Sequence, residues 1–280
     1  MIIHRSIVVS LLAVGILAAS EAQSQPAGGK IGLQLYSLRD QLPKDIAKLD
    51  EVRDWGLKYV ELAGTYGKSP EDFKAELAKR GITATSGHFG YEQWEKDPEA
   101  VCAEAEKLGL SYAGCAWIPH QDPFDEAQVH KAAAVFNHAG EVAAKHHIKF
   151  FYHTHGYEFG PSGNGTLFDL LLHETNPKNV KFEADVFWVA SAKVDPAKLL
   201  LANPKRFDLL HVKDMRKDAD PSHAGASDNV VAGQGQLDMA GIIKAAQKIG
   251  VKYYFIEDES DISEQQIPQT IAYLKTWLSE

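Results

Sequence analysis

The feature that most constrains this chain is an alternation: short apolar runs of strand character separated by amphipathic helical stretches, repeated eight times after the N-terminal residues. The pattern predicts strands over Ile31–Ser37, Tyr59–Gly64, Ala84–Gly90, Tyr112–Ile118, Ile148–His155, Val180–Val189, Phe207–Asp214 and Tyr253–Ser260. It predicts helices over Pro43–Trp55, Pro70–Lys79, Pro98–Leu108, Glu126–Lys145, Leu167–Glu174, Pro196–Ala202, Met239–Ile249 and Glu264–Leu278. Ser69-Pro70, Asp97-Pro98 and Asp195-Pro196 pair a capping side chain with a first-turn proline. Gly56, Gly81, Gly109 and Gly250 mark helix exits. Helix-length crossovers require parallel strands. Eight such units, each of roughly 30 residues, predict one closed (β/α)8 TIM barrel. An open doubly wound sheet would carry a glycine-rich phosphate turn after its first strand, and LQLYSLRDQLP contains no glycine.

Hydrophobic content of 45% and charged content of 24% suffice for a full core. A net charge of −9 argues against nucleic acid as a partner. At the N-terminus, His4 and Arg5 precede the apolar stretch Ile7 to Ala19, which ends in Ser20-Glu21-Ala22. This is the order of a secretory signal peptide, and the apolar run is shorter than the roughly 20 residues of a membrane span. The expected organisation is therefore a leader over 1–22, a flexible lead-in over 23–29 and a barrel over 30–280. The mature protein is expected to be exported to the periplasm and free of the membrane. Cys102 and Cys115 are too few for a disulfide framework and read as buried thiols, with one optional bridge left open.

Ligands bind at the carboxyl edge of parallel strands in such folds. Asp185, His211 and Glu257 end three successive strand segments at that edge. Carboxylates and a neutral imidazole are ligands for a divalent cation. Side chains alternate along a strand, so His153 with His155, Glu183 with Asp185, His211 with Lys213, and Glu257 with Glu259 share faces. Polar residues of one parity ending four consecutive strands are hard to explain as core, although each alone could be an ion-pair partner or a structural histidine. The long irregular stretch Met215 to Asp238 follows the seventh strand and is a candidate rim.

YSLRD after the first strand, YVEL in the second, GH in the third, YHTHGYEF in the fifth, FEADVFWV, HVKD and FIEDE together resemble the sugar phosphate isomerase/epimerase group of xylose isomerase-like barrels. The resemblance spans the expected mature chain. It implies one divalent metal ion (Mn, Co, Zn, Fe or Mg) on a Glu–Asp–His–Glu set, with Asp185, His211 and Glu257 in the last three places. Glu158 is assigned to the first, with His153 as the alternative. His155 is the leading acid/base, and Lys213 an oxyanion stabiliser or base. Glu61, His88 and Arg39 are expected to read substrate hydroxyls, and Tyr36, Trp117, Phe187 and Trp188 to face a sugar ring. Gly233-Gln234-Gly235 reads as loop geometry rather than a phosphate cradle.

Such a site enolises a sugar next to its carbonyl. Isomerisation, epimerisation and elimination diverge only at the step that follows. Export and the lack of a basic cluster point to a small, non-phosphorylated sugar or keto-sugar. Isomerase or epimerase is the expectation, with a lyase acting on 3-keto-glycosides as the alternative. The rivals from other classes are a non-catalytic periplasmic sugar binder and an abasic-site nuclease of the related endonuclease barrels; the acidic charge weighs against the nuclease.

Overall fold

A computed structural model describes residues 28–278. The expected leader, and the lead-in except Gly28 and Gly29, lie outside these residues. Eight strands form the barrel: β1 (Lys30–Gln34), β2 (Tyr59–Leu62), β3 (Thr83–Phe89), β4 (Tyr112–Cys115), β5 (Lys149–His153), β6 (Val180–Asp185), β7 (Phe207–Val212) and β8 (Tyr253–Ile256). Each pairs in parallel with the next, and β8 closes on β1. Among the described residues no helix is long and apolar enough to cross a membrane.

Five helices keep their expected bounds: Pro98–Leu108, Glu126–Lys145, Leu167–Glu174, Pro196–Ala202 and Met239–Ile249. Their ends are chemically marked. Asp97 accepts from the Ala100 N–H (3.0 Å) and Asp195 from that of Lys198 (3.1 Å). Gly109 and Gly250 close two of the helices in the left-handed region, at φ +81° and +83°.

The strands stop sooner than expected. The run over 180–189 is the clearest case, because β6 ends at Asp185 and Val186–Ser191 is helical. Asp185 Oδ1 accepts the N–H groups of Phe187 (2.9 Å) and Trp188 (3.0 Å), so this side chain starts the helix. In an unbroken apolar run the helical period leaves no trace. A further short helix, Tyr91–Lys96, was not anticipated.

The barrel interior is layered. At the amino-terminal mouth Tyr59, Tyr112 and Tyr253 meet edge to face, with ring centroids 5.6 and 6.1 Å apart. Above them Phe151, Leu209 and Phe255 form a small apolar cluster with Tyr112. Gly32 and Gly114 make room for it: a Cβ on Gly32 would lie 2.6 Å from the Phe255 ring, and one on Gly114 2.5 Å from that of Phe151. The top layer carries the polar residues described below. Cys102 and Cys115 are buried and unpaired.

The rim after β7 is tied down by Asp214. Its carboxylate accepts the N–H groups of Met215 (2.8 Å), Gly233 (2.9 Å), Gly235 (3.0 Å) and Leu237 (3.2 Å). The Gly233–Gly235 amides are thus committed to a protein carboxylate, as loop geometry requires. A Cβ on Gly235 would lie 2.2 Å from Asp214 Oδ1 and 2.3 Å from the Met215 carbonyl oxygen, so only glycine fits there.

Candidate active site

The carboxyl ends of the strands enclose a chamber of about 290 Å³ lined by Tyr36, Ala63, His88, Ala116, His153, His155, Trp188, Glu257 and Glu259. At its base, strands β6, β7 and β8 bring Asp185, His211 and Glu257 together, with one ligand atom from each lying within 4.8 Å of the others. His211 Nδ1 stands 3.4 Å from Glu257 Oε2 and 3.9 Å from Asp185 Oδ2. His211 Nδ1 and Asp185 Oδ2 are both buried without a hydrogen-bond partner. The spacing from Nδ1 to Glu257 thus reflects proximity, not a formed hydrogen bond.

Charge around the chamber is unbalanced. Asp185, Glu257 and Glu259 face one amine, that of Lys213, while the buried Glu61 and Glu183 lie against imidazoles. The Lys213 ammonium pairs with Glu259 and lies 3.1 Å from Glu257 and 3.8 Å from Asp185. Burial works against that charge, but Glu257, Asp185 and Glu259 outweigh it and hold the amine above its usual range. The amine is thus held toward its charged form among three carboxylates. Burial raises the Asp185 carboxyl to about 7, partly offset by Lys213. Burial also opposes ionisation of Glu257, yet Lys213 and His211 hold it well below the usual carboxylate range. Such an excess of buried carboxylate suits a divalent cation.

Four imidazoles crowd the same space. His153 lies 4.4 Å from His211 and 4.6 Å from His155, centroid to centroid. Burial, then the neighbouring His211, lower His153 to about 4. Burial, then His153, push His155 well below the ordinary imidazole value. Both rings are therefore neutral near pH 7. For His88, burial opposes protonation, but Glu61 and Glu183 prevail and raise it.

Several expected assignments change. Glu158 does not join the cluster: it is buried behind β5, bonded to the Tyr152 hydroxyl and to the His155 N–H (3.0 Å). Gly156, at φ +99°, turns the chain away after the strand, and the side chain of Tyr152 faces away from the chamber. His153 lines the chamber, leaving the imidazole as the residue near the first place. Glu61 is wholly buried and bonds Gln34 (2.7 Å), Ser86 and His211 Nε2 (2.6 Å), so it supports other residues rather than contacting substrate. Arg39 donates to the carbonyl oxygens of Tyr36 (3.2 Å) and Glu259 (3.0 Å) and stays outside the lining. Phe187 is buried, whereas Tyr36 and Trp188 line the chamber. Trp117 is half exposed on the adjoining rim, edge to face with His155 at 5.3 Å. Sequence reasoning named Glu259 only as a partner in parity and missed its pairing with Lys213.

Comparison with known proteins agrees with this architecture. A family model described as a xylose isomerase-like TIM barrel matches residues 49–277. A solved sugar phosphate isomerase/epimerase from Parabacteroides distasonis superposes with a TM-score of 0.75 at 26% identity, over 91% of this chain and 99% of that one. A structure of the IOLI protein with a zinc atom superposes with a TM-score of 0.71 at 16% identity, over 90% and 100% of the two chains, a likeness of fold. An inosose dehydratase of Lactiplantibacillus plantarum is 28% identical over 169 residues, 59% of this chain and 53% of that protein. The match thus covers about half the length of this relative.

Proposed function

The chain belongs to the xylose isomerase-like TIM barrel family, and on that premise we propose that it is a divalent-metal enzyme that enolises a non-phosphorylated sugar or keto-sugar, with isomerisation or epimerisation as the outcome. One observation carries the reading: the orphaned, buried His211 Nδ1 and Asp185 Oδ2 converge with Glu257 in a site rich in carboxylates. Asp185, His211 and Glu257 would hold the ion, with His153 beside them. Such an ion, when bound, would polarise adjacent hydroxyl and carbonyl oxygens and so acidify the hydroxyl-bearing carbon next to the carbonyl.

The chain's own residues supply the rest. His155, neutral and with an unpartnered Nδ1, accepts the proton from the carbon next to the carbonyl. The Lys213 ammonium holds Glu257 and Glu259 in place. Trp188 and Tyr36 offer apolar faces to a sugar ring. None of the residues lining the chamber is Lys or Arg, and the nearby Lys213 and Arg39 are already engaged. That favours a substrate without phosphate. Export to the periplasm is part of the same proposal, because it places the enzyme among unphosphorylated sugars.

The dehydratase relative favours a second reading, in which the enolate expels a β-oxygen substituent. Metal analysis, followed by incubation of the loaded protein with keto-sugars and 3-keto-glycosides in D2O, tests both. Deuterium next to the carbonyl supports enolisation, and the product separates rearrangement from elimination. A protein that retains no divalent ion, or that exchanges no carbon-bound proton across the panel, overturns the proposal and leaves a sugar binder.

A further inference from the structure

Beneath the proposed ligands lies a second polar layer, made by strand register. Gln34, Glu61 and Ser86 are neighbours across β1, β2 and β3, and His153 is the neighbour of Glu183 across β5 and β6. Glu61 and Glu183 are both wholly buried, and the imidazoles converge on them. His211 Nε2 is 2.6 Å from Glu61 Oε1 and 3.2 Å from Glu183 Oε2. His153 Nδ1 is 3.2 Å from Glu183 Oε2. His88 Nε2 bridges the two carboxylates at 3.3 and 3.2 Å. Glu61 is itself clamped by the Gln34 amide and the Ser86 hydroxyl.

We propose that Glu61 and Glu183 are positioning residues that fix ring tautomers, so that His211 presents Nδ1 and His153 presents Nε2 to the chamber. A carboxylate accepts only an N–H, so each of these contacts places a proton on the ring nitrogen facing the carboxylate, and in the neutral ring the other nitrogen is then the one left to act as a ligand. A ligating histidine is oriented and made more basic by such a partner. The geometry also bears on a rival use of the same atoms. His88, His153, Glu183 and His211 are close enough to hold a cation of their own. That cation would have to displace the N–H protons directed at Glu61 and at Glu183 Oε2, and His211 would then bridge two ions.

The effect on metal affinity rests on the proposed function, whereas the tautomers themselves do not. Long-range proton–nitrogen correlation spectra of the metal-free protein report which ring nitrogens carry protons. The expected result is a protonated Nε2 on His211 and a protonated Nδ1 on His153. In Glu183→Gln the His153 proton should move toward Nε2, and in Glu61→Gln the hydrogen-bonded Nε2 proton of His211 should shift upfield. Zinc titration of the same folded variants should give dissociation constants about 10- to 100-fold higher than that of the parent. An unprotonated His153 Nδ1 or His211 Nε2 in the parent, unchanged His153 ring protonation in Glu183→Gln, an unshifted His211 Nε2 proton in Glu61→Gln, or two zinc ions bound per chain overturns the proposal. If the parent binds no zinc but shows the expected tautomers, the proposed function fails and the positioning layer stands.

Discussion

The two mouths of the barrel are built from the same strands and are opposite in character. At the amino-terminal mouth the tyrosine rings of Tyr59, Tyr112 and Tyr253 close the interior, and the charges stay at the edge. There the half-exposed Lys149 pairs with Asp208 at 2.7 Å, and the exposed Lys30 lies 4.7 Å over the Tyr59 ring. At the carboxyl mouth charge goes inward: Glu61, Glu183, Asp185 and His211 are wholly buried. One end thus maximises packing, and the other holds charge that costs stability unless paired. The difference separates the part of the barrel that keeps it folded from the part that gives it chemistry.

Substitutions test that separation, from the largest effect to the smallest. His211→Ala should abolish divalent-ion binding in a calorimetric titration and lower turnover by about a thousandfold or more, since loss of a Lewis acid forfeits several kcal/mol. Its far-ultraviolet circular dichroism should stay that of the parent; unfolding would mean that the carboxyl mouth also carries the fold. Asp214→Ala removes the acceptor of four loop N–H groups and should lower stability by about 2–3 kcal/mol in urea. Its ion affinity should not change. Gly32→Ala sets a methyl against Phe255 and the Tyr59 carbonyl, so a loss of about 1–3 kcal/mol is expected with the bound ion retained. Tyr112→Phe deletes one hydroxyl, which is bonded to Asp208 at 3.1 Å. It should cost about 1 kcal/mol or less and leave turnover unchanged. A drop in turnover there would couple the two mouths.

The layout of the barrel was legible because alternation of strand and helix is a global pattern that short errors do not disturb. The site trio was legible for a local reason: Asp185, His211 and Glu257 interrupt apolar runs at their carboxyl ends. Glu158 misled because proximity in sequence stood in for direction. Parity governs a strand only while it lasts, and β5 ends at His153, so a carboxylate beyond Gly156 can face either way. The role of Glu61 was hidden for another reason. Its partners Gln34, Ser86 and His211 come from three other strands, and register between strands is not written in any one segment. The Val186–Ser191 helix was missed because its start depends on a residue that also serves the site, Asp185.

Gly114 has a consequence beyond packing. It leaves the space that Phe151 fills, and the Phe151 ring lies 5.4 Å below His88, one of the chamber walls. The depth available to a ligand is therefore set from underneath, by an apolar stack that no ligand meets. A methyl group at Gly114 would press on that ring, which lies under His88. Size selection in this barrel can thus drift through a dry, uncharged layer while every residue doing chemistry is left in place.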